Sequence, residues 1–217
     1  MKPFLLLRAD DLEAQRPPGQ VDDIHFTEDL ARAVVEEATR PGDLVLDPFA
    51  GYGTTLAVAG ALGRRAVGVE LLPEHAQVAR DRSGAEVIGG DARRLAPLLA
   101  EAGIGPVDLV LTSPPYLSDV DHRENPLTGY RTDDGDYRIY LQEIGEVFAQ
   151  VASVLGSGGR AVVNVANVLT GGHVTPLAWD VGREVARSLD FQGETFLCWD
   201  RHPPGLAGDY LLWFRKT

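Results

Sequence analysis

The sequence predicts an α/β fold in which a mainly parallel sheet is covered by helices on both faces. Apolar, strand-like runs alternate with helical segments along most of the chain, which is the pattern of parallel sheets. Glycine or proline turns separate these segments, and 217 residues with 44% hydrophobic content can build one full core. The formal net charge of −12 argues against a large non-specific nucleic-acid surface.

Residues 1–23 are expected to form an N-terminal arm or edge element, because a short apolar run is followed by a proline-rich loop. Residues 24–217 are expected to form a single domain, with 117–137 inserted as a substrate loop. Charged residues end the first apolar run too early for a signal peptide, and no run reaches the ~20 residues that span a bilayer. We therefore expect a cytoplasmic protein. The single cysteine, Cys198, agrees with this and is expected to be a buried structural thiol.

The other elements follow from apolar spacing and turn residues. Thr27 is an N-cap candidate followed by acids, and Pro41-Gly42 ends the helix that it starts. The last two strands have no full helix between them, so they should pair antiparallel at one edge of a seven-stranded sheet. Helices are expected over 28–37, 56–63, 73–82, 92–102, 137–155 and 177–189, and strands over 43–46, 65–70, 85–88, 107–112, 160–165, 195–200 and 210–215.

A glycine turn joins the first of these strands to its helix and is the first candidate for a ligand site. Residues 47–55 read Asp-Pro-Phe-Ala-Gly-Tyr-Gly-Thr-Thr. Gly51 and Gly53 let a ligand approach backbone that no side chain shields, and the helix start offers unpaired N–H donors. A tight turn without a ligand is the alternative interpretation of this stretch.

Three acidic residues fall at successive strand ends: Asp47, Glu70 and Asp91. Ligands bind at the carboxyl ends of parallel strands, so we expect these acids along one rim. Asp47 would repel a pyrophosphate on the turn, the third glycine of the dinucleotide fingerprint is missing, and no lysine follows to cradle phosphates. The rim suits a cationic nucleoside such as S-adenosylmethionine, with Glu70 on the ribose hydroxyls and Asp91 on the adenine amino group.

The second motif is Ser113-Pro114-Pro115-Tyr116, at the end of the fourth strand. Two prolines fix the backbone and remove two N–H donors, so the carbonyls face outward as acceptors. The Ser113 side chain and the Pro114 carbonyl could accept hydrogen bonds from an exocyclic amino group, while Tyr116 stacks on the base. Catalysis would then consist mostly of positioning for in-line transfer. A proline-rich turn beside a core tyrosine is the alternative.

Together, residues 47–55 and 112–116 resemble the motifs of the amino-methyltransferases that modify adenine N6 or cytosine N4 in DNA. The resemblance extends to Phe26-Thr27 and covers roughly residues 24–170. It implies a Rossmann-like methyltransferase fold, S-adenosylmethionine as the cofactor and DNA as the substrate, and the leading serine leans toward cytosine N4. The implied cofactor-binding residues are Phe26, Thr27, Asp47, Phe49, Ala50, Gly51, Gly53, Thr54, Thr55, Glu70 and Asp91, and the implied catalytic residues are Ser113, Pro114, Pro115 and Tyr116.

DNA-modifying members of this family usually carry a separate target-recognition region. The candidates here are the acidic loop at 117–137 and the turn at 167–176. The acidic loop is a poor phosphate-binding surface, so it is either a solvated loop or a lid that orders over a flipped base. RNA, DNA presented by a partner subunit, or a small-molecule or protein amide are therefore alternative substrates. No pair of histidines has metal-ligand spacing, so no metal is expected.

Overall fold

The computed structural model describes residues 1–16, 26–115, 134–170, 172–201 and 206–217. Strands and helices alternate through these ranges, as the sequence predicts. The helices are α1 Ala9–Ala14, α2 Glu28–Ala38, α3 Thr54–Ala61, α4 Pro73–Ser83, α5 Leu95–Glu101, α6 Asp134–Val154 and α7 Leu177–Val185, and a short 3-10 turn, Ala92–Arg94, precedes α5. The strands are β1 Phe4–Leu7, β2 Leu44–Asp47, β3 Arg65–Glu70, β4 Glu86–Gly89, β5 Val107–Thr112, β6 Leu155–Thr170, β7 His173–Thr175, β8 Asp190–Trp199 and β9 Leu206–Arg215.

The strands of the described ranges form one mixed, nine-stranded sheet. Its order is β1-β8-β9-β6-β5-β2-β3-β4, and β7 pairs with β6 outside this path. The five strands from β4 to β6 are parallel to one another, as predicted. Their carboxyl ends therefore meet at one rim, which is the edge where such sheets bind ligands.

Helices pack on both faces of the parallel strands and bury two large apolar clusters. One cluster lies under α5, α6 and α7 and includes the fully buried Phe148. The other lies under α2 and α3, where Leu30 and Val34 are buried one turn apart. Thr27 caps α2 as predicted, since its side chain accepts a hydrogen bond from the Leu30 N–H at 3.2 Å. Each fully buried side chain of this size contributes about 2 kcal/mol to folding.

The predicted strand count of seven and the predicted antiparallel edge need correction. β8 and β9 pair antiparallel as expected, but β1 lies beyond β8 and pairs parallel with it, with Phe4 opposite Phe196. The Phe196 N–H donates to the Pro3 carbonyl, and the Asp200 N–H donates to the Leu7 carbonyl, both at 3.0 Å. Without β1, the outer edge of β8 would have unpaired backbone N–H and C=O groups. Pairing with β1 gives these groups hydrogen-bond partners.

The segment 167–176, predicted to be a turn, contains the end of β6 and the strand β7. The two strands pair antiparallel, with Val168 opposite Thr175. β6 is long because it pairs with β9 from Arg160 to Val168, which satisfies its backbone well beyond the predicted end. The predicted substrate loop at 117–137 lies mostly outside the described residues, and α6 begins at Asp134 rather than Tyr137.

The prediction of a buried thiol at Cys198 is wrong, because this cysteine is exposed. Side chains alternate between the faces of a strand, and Leu197 takes the core-facing position in β8. The opposite face of this part of the sheet is open, since Phe4, Leu6 and Phe196 are also exposed there. Within the described residues, none of the helices has the length and apolar character needed to cross a membrane.

Candidate active site

The carboxyl ends of four neighbouring parallel strands bring the predicted motifs together. In the order β5-β2-β3-β4, the chain leaves the sheet at Thr112, Asp47, Glu70 and Gly89, and Asp91 follows two residues later. The prediction that the three acids lie along one rim is confirmed. Ser113 leaves β5 directly beside the strand that ends in Asp47.

The glycine turn between β2 and α3 packs tightly against its surroundings. Gly53 has a φ of 80°, and its N–H donates to the Ala50 carbonyl at 2.8 Å. A Cβ at Gly53 would lie 2.9 Å from the Ala79 Cα on α4, a distance that side chains do not tolerate. Glycine is therefore required here both by backbone conformation and by space. The Ala50 N–H also donates to the Val69 carbonyl at 3.0 Å, which fixes the turn to β3.

Glu70, at the end of β3, holds the glycine turn through its carboxylate. Its Oε2 accepts from the Gly51 N–H at 2.7 Å, and its Oε1 accepts from the Leu72 N–H at 2.9 Å. The residue is 9% exposed, and His75 Nδ1 lies 4.0 Å from Oε1. Each carboxylate oxygen accepts more than one hydrogen bond, so both retain capacity for ligand hydroxyls.

Asp47 is a buried carboxylate that connects the two motifs. Its Oδ1 accepts from the Thr112 hydroxyl at 2.6 Å and from the Phe49 N–H at 3.0 Å, and the residue is only 3% exposed. Burial raises the pKa of Asp47 to about 6, with a smaller push in the same direction from Glu70, although the hydrogen bonds from Thr112, Thr55 and Phe49 oppose the rise. A positively charged ligand group would stabilise this carboxylate.

Asp91 is held by an arginine. Its two oxygens accept from the Arg93 guanidinium at distances down to 2.7 Å, and Oδ1 also accepts from the Arg93 N–H at 2.9 Å. Burial pushes the pKa of Asp91 upward, but the hydrogen bonds and charge of Arg93 outweigh it, so the pKa lies below its ordinary value. Arg93 also donates to Glu143 Oε1 on α6 at 2.7 Å. If Asp91 binds the adenine amino group, its carboxylate must bind adenine and Arg93 at the same time.

Other predicted cofactor residues lie around the turn. Phe26 and Thr27 are buried at the start of α2, and Phe49 is half-buried against the core under α6. Thr54 and Thr55 open α3, and the Thr55 hydroxyl donates to the Leu111 carbonyl at 3.3 Å. This bond attaches the start of α3 to the strand that carries the second motif.

The tetrapeptide is described only in part. Ser113 and Pro115 are half-buried, and Pro114 is buried. Tyr116 and residues 117–133 lie outside the described residues, so the stacking partner and the substrate loop stay predictions. In the described ranges, no group of three or more His, Cys, Asp or Glu side chains could hold a metal ion.

Sequence comparison identifies the first of the two motifs. Residues 14–81, which contain the glycine turn and Glu70, match the family model for DNA methylases. Over 57 residues the chain is 44% identical to the type II methyltransferase M2.DpnII of Streptococcus pneumoniae. Residues 14–81 are therefore similar to the amino-methyltransferase family. That alignment covers 26% of this chain and 21% of M2.DpnII, so the chain spans about a fifth of the length of this relative.

Structural comparison extends the similarity beyond the amino-methyltransferase segment. TrmN from Thermus thermophilus superposes with a TM-score of 0.63 at 19% identity, over 88% of this chain and 49% of that one. The N-methyltransferase NodS from Bradyrhizobium japonicum, in complex with S-adenosyl-L-homocysteine, gives 0.60 at 13% identity, over 96% and 97% of the two chains. These similarities show that the chain has the Rossmann-like methyltransferase fold.

Three residues of the site were not among the predicted ones: Thr112, Arg82 and Arg93. Thr112 directly precedes the tetrapeptide, and its position at a strand end beside β2 is the signal that could have identified it. Arg82 acts through a long side chain whose partners are far away in sequence, whereas Arg93 binds both the nearby Asp91 and the distant Glu143. For Arg82, the small residues Ala76 and Ala79 on the same side of α4 indicate that the helix closely approaches another element.

Proposed function

We propose that the protein is an S-adenosylmethionine-dependent methyltransferase that acts on an exocyclic amino group of a nucleic-acid base, with cytosine N4 or adenine N6 in DNA as the first candidates. The observation that carries the proposal is the 2.6 Å hydrogen bond from Thr112 to Asp47. It holds the strand end that bears Ser113-Pro114-Pro115 directly beside the strand end of the amino-methyltransferase segment.

The donor set around the turn fits the cofactor. Asp47 is a buried carboxylate whose hydrogen-bond donors, Thr112, Thr55 and Phe49, are uncharged, and because burial raises its pKa, a cation beside it would stabilise the ionised form. It suits the ammonium end of S-adenosylmethionine, while Glu70 suits the ribose hydroxyls. Phe26, Thr27 and residues 49–55 would surround the methionine part. The S-adenosyl-L-homocysteine bound to NodS supports this choice by fold analogy.

The tetrapeptide would orient the acceptor. In the proposed pose the Ser113 side chain and the Pro114 carbonyl accept the two N–H groups of the base's amino group, which directs the nitrogen lone pair away from them. Held by Asp47, Glu70 and the turn, S-adenosylmethionine would supply an electrophilic methyl group to the amine nitrogen and would leave as the thioether, and the amine would lose a proton to solvent. Tyr116 would stack on the base and exclude water from one face.

The substrate class rests on the family match. A base inside a duplex must be flipped out to reach such a pocket, and residues 117–137 are the proposed cover over it. The net charge of −12 disfavours tight binding to phosphates by this chain alone. DNA presented by a partner subunit agrees with both the family match and the negative net charge. The same charge favours a second candidate, a methyltransferase for a small-molecule or protein amide.

Incubation with methyl-labelled S-adenosylmethionine and separate DNA and RNA pools tests the proposal. We expect label in DNA, recovered after hydrolysis as N4-methylcytosine or N6-methyladenine. Ser113→Ala should lose the label and keep cofactor binding. Gln77→Ala, at an exposed position on α4, is the control and should change neither the label nor the affinity for the cofactor. Label only in RNA, or only in a protein or metabolite fraction, would move the substrate to that class. A protein that binds no S-adenosylmethionine would end the proposal.

A further inference from the structure

Arg82, near the end of α4, joins the start of α2 to the glycine turn. Its Nη2 donates to Glu28 Oε1 on α2 at 2.6 Å. Its Nη1 donates to the Thr54 hydroxyl at 2.9 Å and to the Tyr52 carbonyl at 3.4 Å. One guanidinium therefore connects the helix that follows Phe26-Thr27 with both the turn and the first residue of α3.

The position of Arg82 makes these contacts stronger than those of an ordinary surface arginine. Its side chain is 16% exposed, so solvent does not easily replace its hydrogen bonds to Thr54 and Tyr52, whereas the Glu28 side chain is 41% exposed and that ion pair is weakened by solvent. One turn earlier on α4, Ala79 packs closely against Gly53. Two residues of α4 therefore contact the turn, Ala79 by packing and Arg82 by hydrogen bonds.

Lysine could not replace these contacts. A planar guanidinium directs several donors at once in a fixed geometry, whereas an ammonium is a compact point charge on a flexible stem. Three acceptors on two segments, two in the turn and one on α2, need the guanidinium geometry. The Thr54 and Tyr52 contacts fix the turn, and the Glu28 contact fixes the start of α2 relative to it.

We propose that Arg82 is a positioning residue for cofactor binding: it keeps the segment at Phe26-Thr27 in register with the glycine turn, so that the two halves of the methionine site are already assembled before the cofactor arrives. The inference rests on the proposed function for the identity of the ligand. Arg82 touches neither the rim acids nor the tetrapeptide in the described contacts, so its loss acts on ligand affinity rather than on the transfer step.

Arg64 provides a matched control. It also joins the α2 and α3 region through a guanidinium, with Nε donating to the Thr39 hydroxyl at 3.0 Å, Nη2 to the Thr39 carbonyl at 2.9 Å and Nη1 to the Leu62 carbonyl at 2.6 Å. These contacts lie at the far ends of the two helices, away from the turn. Removing Arg64 therefore costs comparable structural contacts without disturbing the cofactor site.

The test compares Arg82→Gln, Arg82→Lys and Arg64→Gln with the wild-type chain. Calorimetric titration with S-adenosyl-L-homocysteine measures affinity, thermal denaturation measures stability, and hydrogen exchange measures protection of the amides in residues 51–56. Arg82→Gln should raise Kd at least tenfold and speed exchange in the turn, with Arg82→Lys recovering only part of the loss. Arg64→Gln should lower the thermal midpoint by about as much as Arg82→Gln does, but it should change Kd less than twofold.

Two results would overturn the inference. One is an Arg82→Gln protein that binds within twofold of wild type, and the other is an equal loss of affinity in Arg64→Gln, which would mean a general structural effect. If the wild-type chain binds no S-adenosyl-L-homocysteine, the proposed function fails, and hydrogen exchange alone decides the role of Arg82. Unchanged exchange over residues 51–56 in Arg82→Gln would then rule out positioning, and faster exchange confined to that segment would support it.

Discussion

Lowering the pH from 7 to 5 is expected to weaken cofactor binding by about tenfold, because Asp47 must be ionised to attract an ammonium group. The pKa of Asp47 in the free protein is raised to about 6, so roughly nine molecules in ten carry a neutral carboxyl at pH 5. A plot of log Kd for S-adenosyl-L-homocysteine against pH should be flat above about pH 7. As the pH falls below about 6, log Kd should increase and approach one log unit per pH unit. Isothermal titration across this range measures it directly.

The same carboxyl should make the free protein less stable as the pH rises. Burial raises the pKa of Asp47 from 3.8 to about 6, and a difference of this size corresponds to about 3 kcal/mol. Because the folded protein holds this proton more tightly than the unfolded chain, the contribution is fully present below pH about 4 and is lost as the pH rises through about 6. Asp47→Asn should therefore be only about 1 kcal/mol more stable than wild type in chemical denaturation at pH 4.5, but about 3 kcal/mol more stable at pH 7.5.

Asp43→Asn is the control for these measurements. It removes the same formal charge at the other end of β2, where the Asp43 carboxylate accepts a surface hydrogen bond from the Arg40 N–H at 2.8 Å. Its Kd for S-adenosyl-L-homocysteine should stay within twofold of the wild-type value. A wild-type Kd that stays constant between pH 5 and 7, or an Asp47→Asn protein that binds the cofactor normally, would refute the assignment of Asp47 to the ammonium.

Other parts of the site give further expectations. Gly53→Ala should destabilise the fold by about 2 kcal/mol or more in chemical denaturation, because the new methyl meets α4 and the backbone stays at a positive φ. Thr112→Val removes a hydrogen-bond donor to Asp47, so the break in the binding curve should move above pH 6, and an unmoved break would contradict the geometry. Arg93→Gln should reduce stability by a nearly constant amount between pH 7 and about 4 and by progressively less below about 4, because the lowered pKa of Asp91 favours folding only while that carboxyl is ionised.

Much of the fold was predictable because its signals are local. β3 and β5 have the predicted bounds, and Thr27 caps α2 through its own side chain. The rim of acids was predictable for a related reason, since parallel strands joined by helices must bring their carboxyl ends to one edge. Asp47 and Glu70 needed only the correct strand ends to be placed there.

The remaining features depend on contacts between distant parts of the chain. The pairing of β1 with β8 joins residues 192 positions apart, such as Phe4 and Phe196, and no pattern within Phe4–Leu7 specifies that partner. The face of the sheet on which Cys198 lies depends on the register of β8. Because Cys198 has apolar residues on both sides, the sequence does not show which of them faces the core. The contacts of Arg82 with the glycine turn and of Arg93 with Glu143 depend on side-chain reach in three dimensions.

The contact between Gly53 and Ala79 also limits how this sequence can change over evolutionary time. A Cβ at Gly53 would come within 3.0 Å of the Ala79 Cβ, so a larger side chain at either position displaces the other. Drift at these two positions is therefore coupled even though they belong to different segments of sequence. Among descendants that keep the turn, position 79 should stay alanine, glycine or serine while the exposed positions of α4 diverge freely. A residue with no chemical role thus becomes as restricted as the motif it supports.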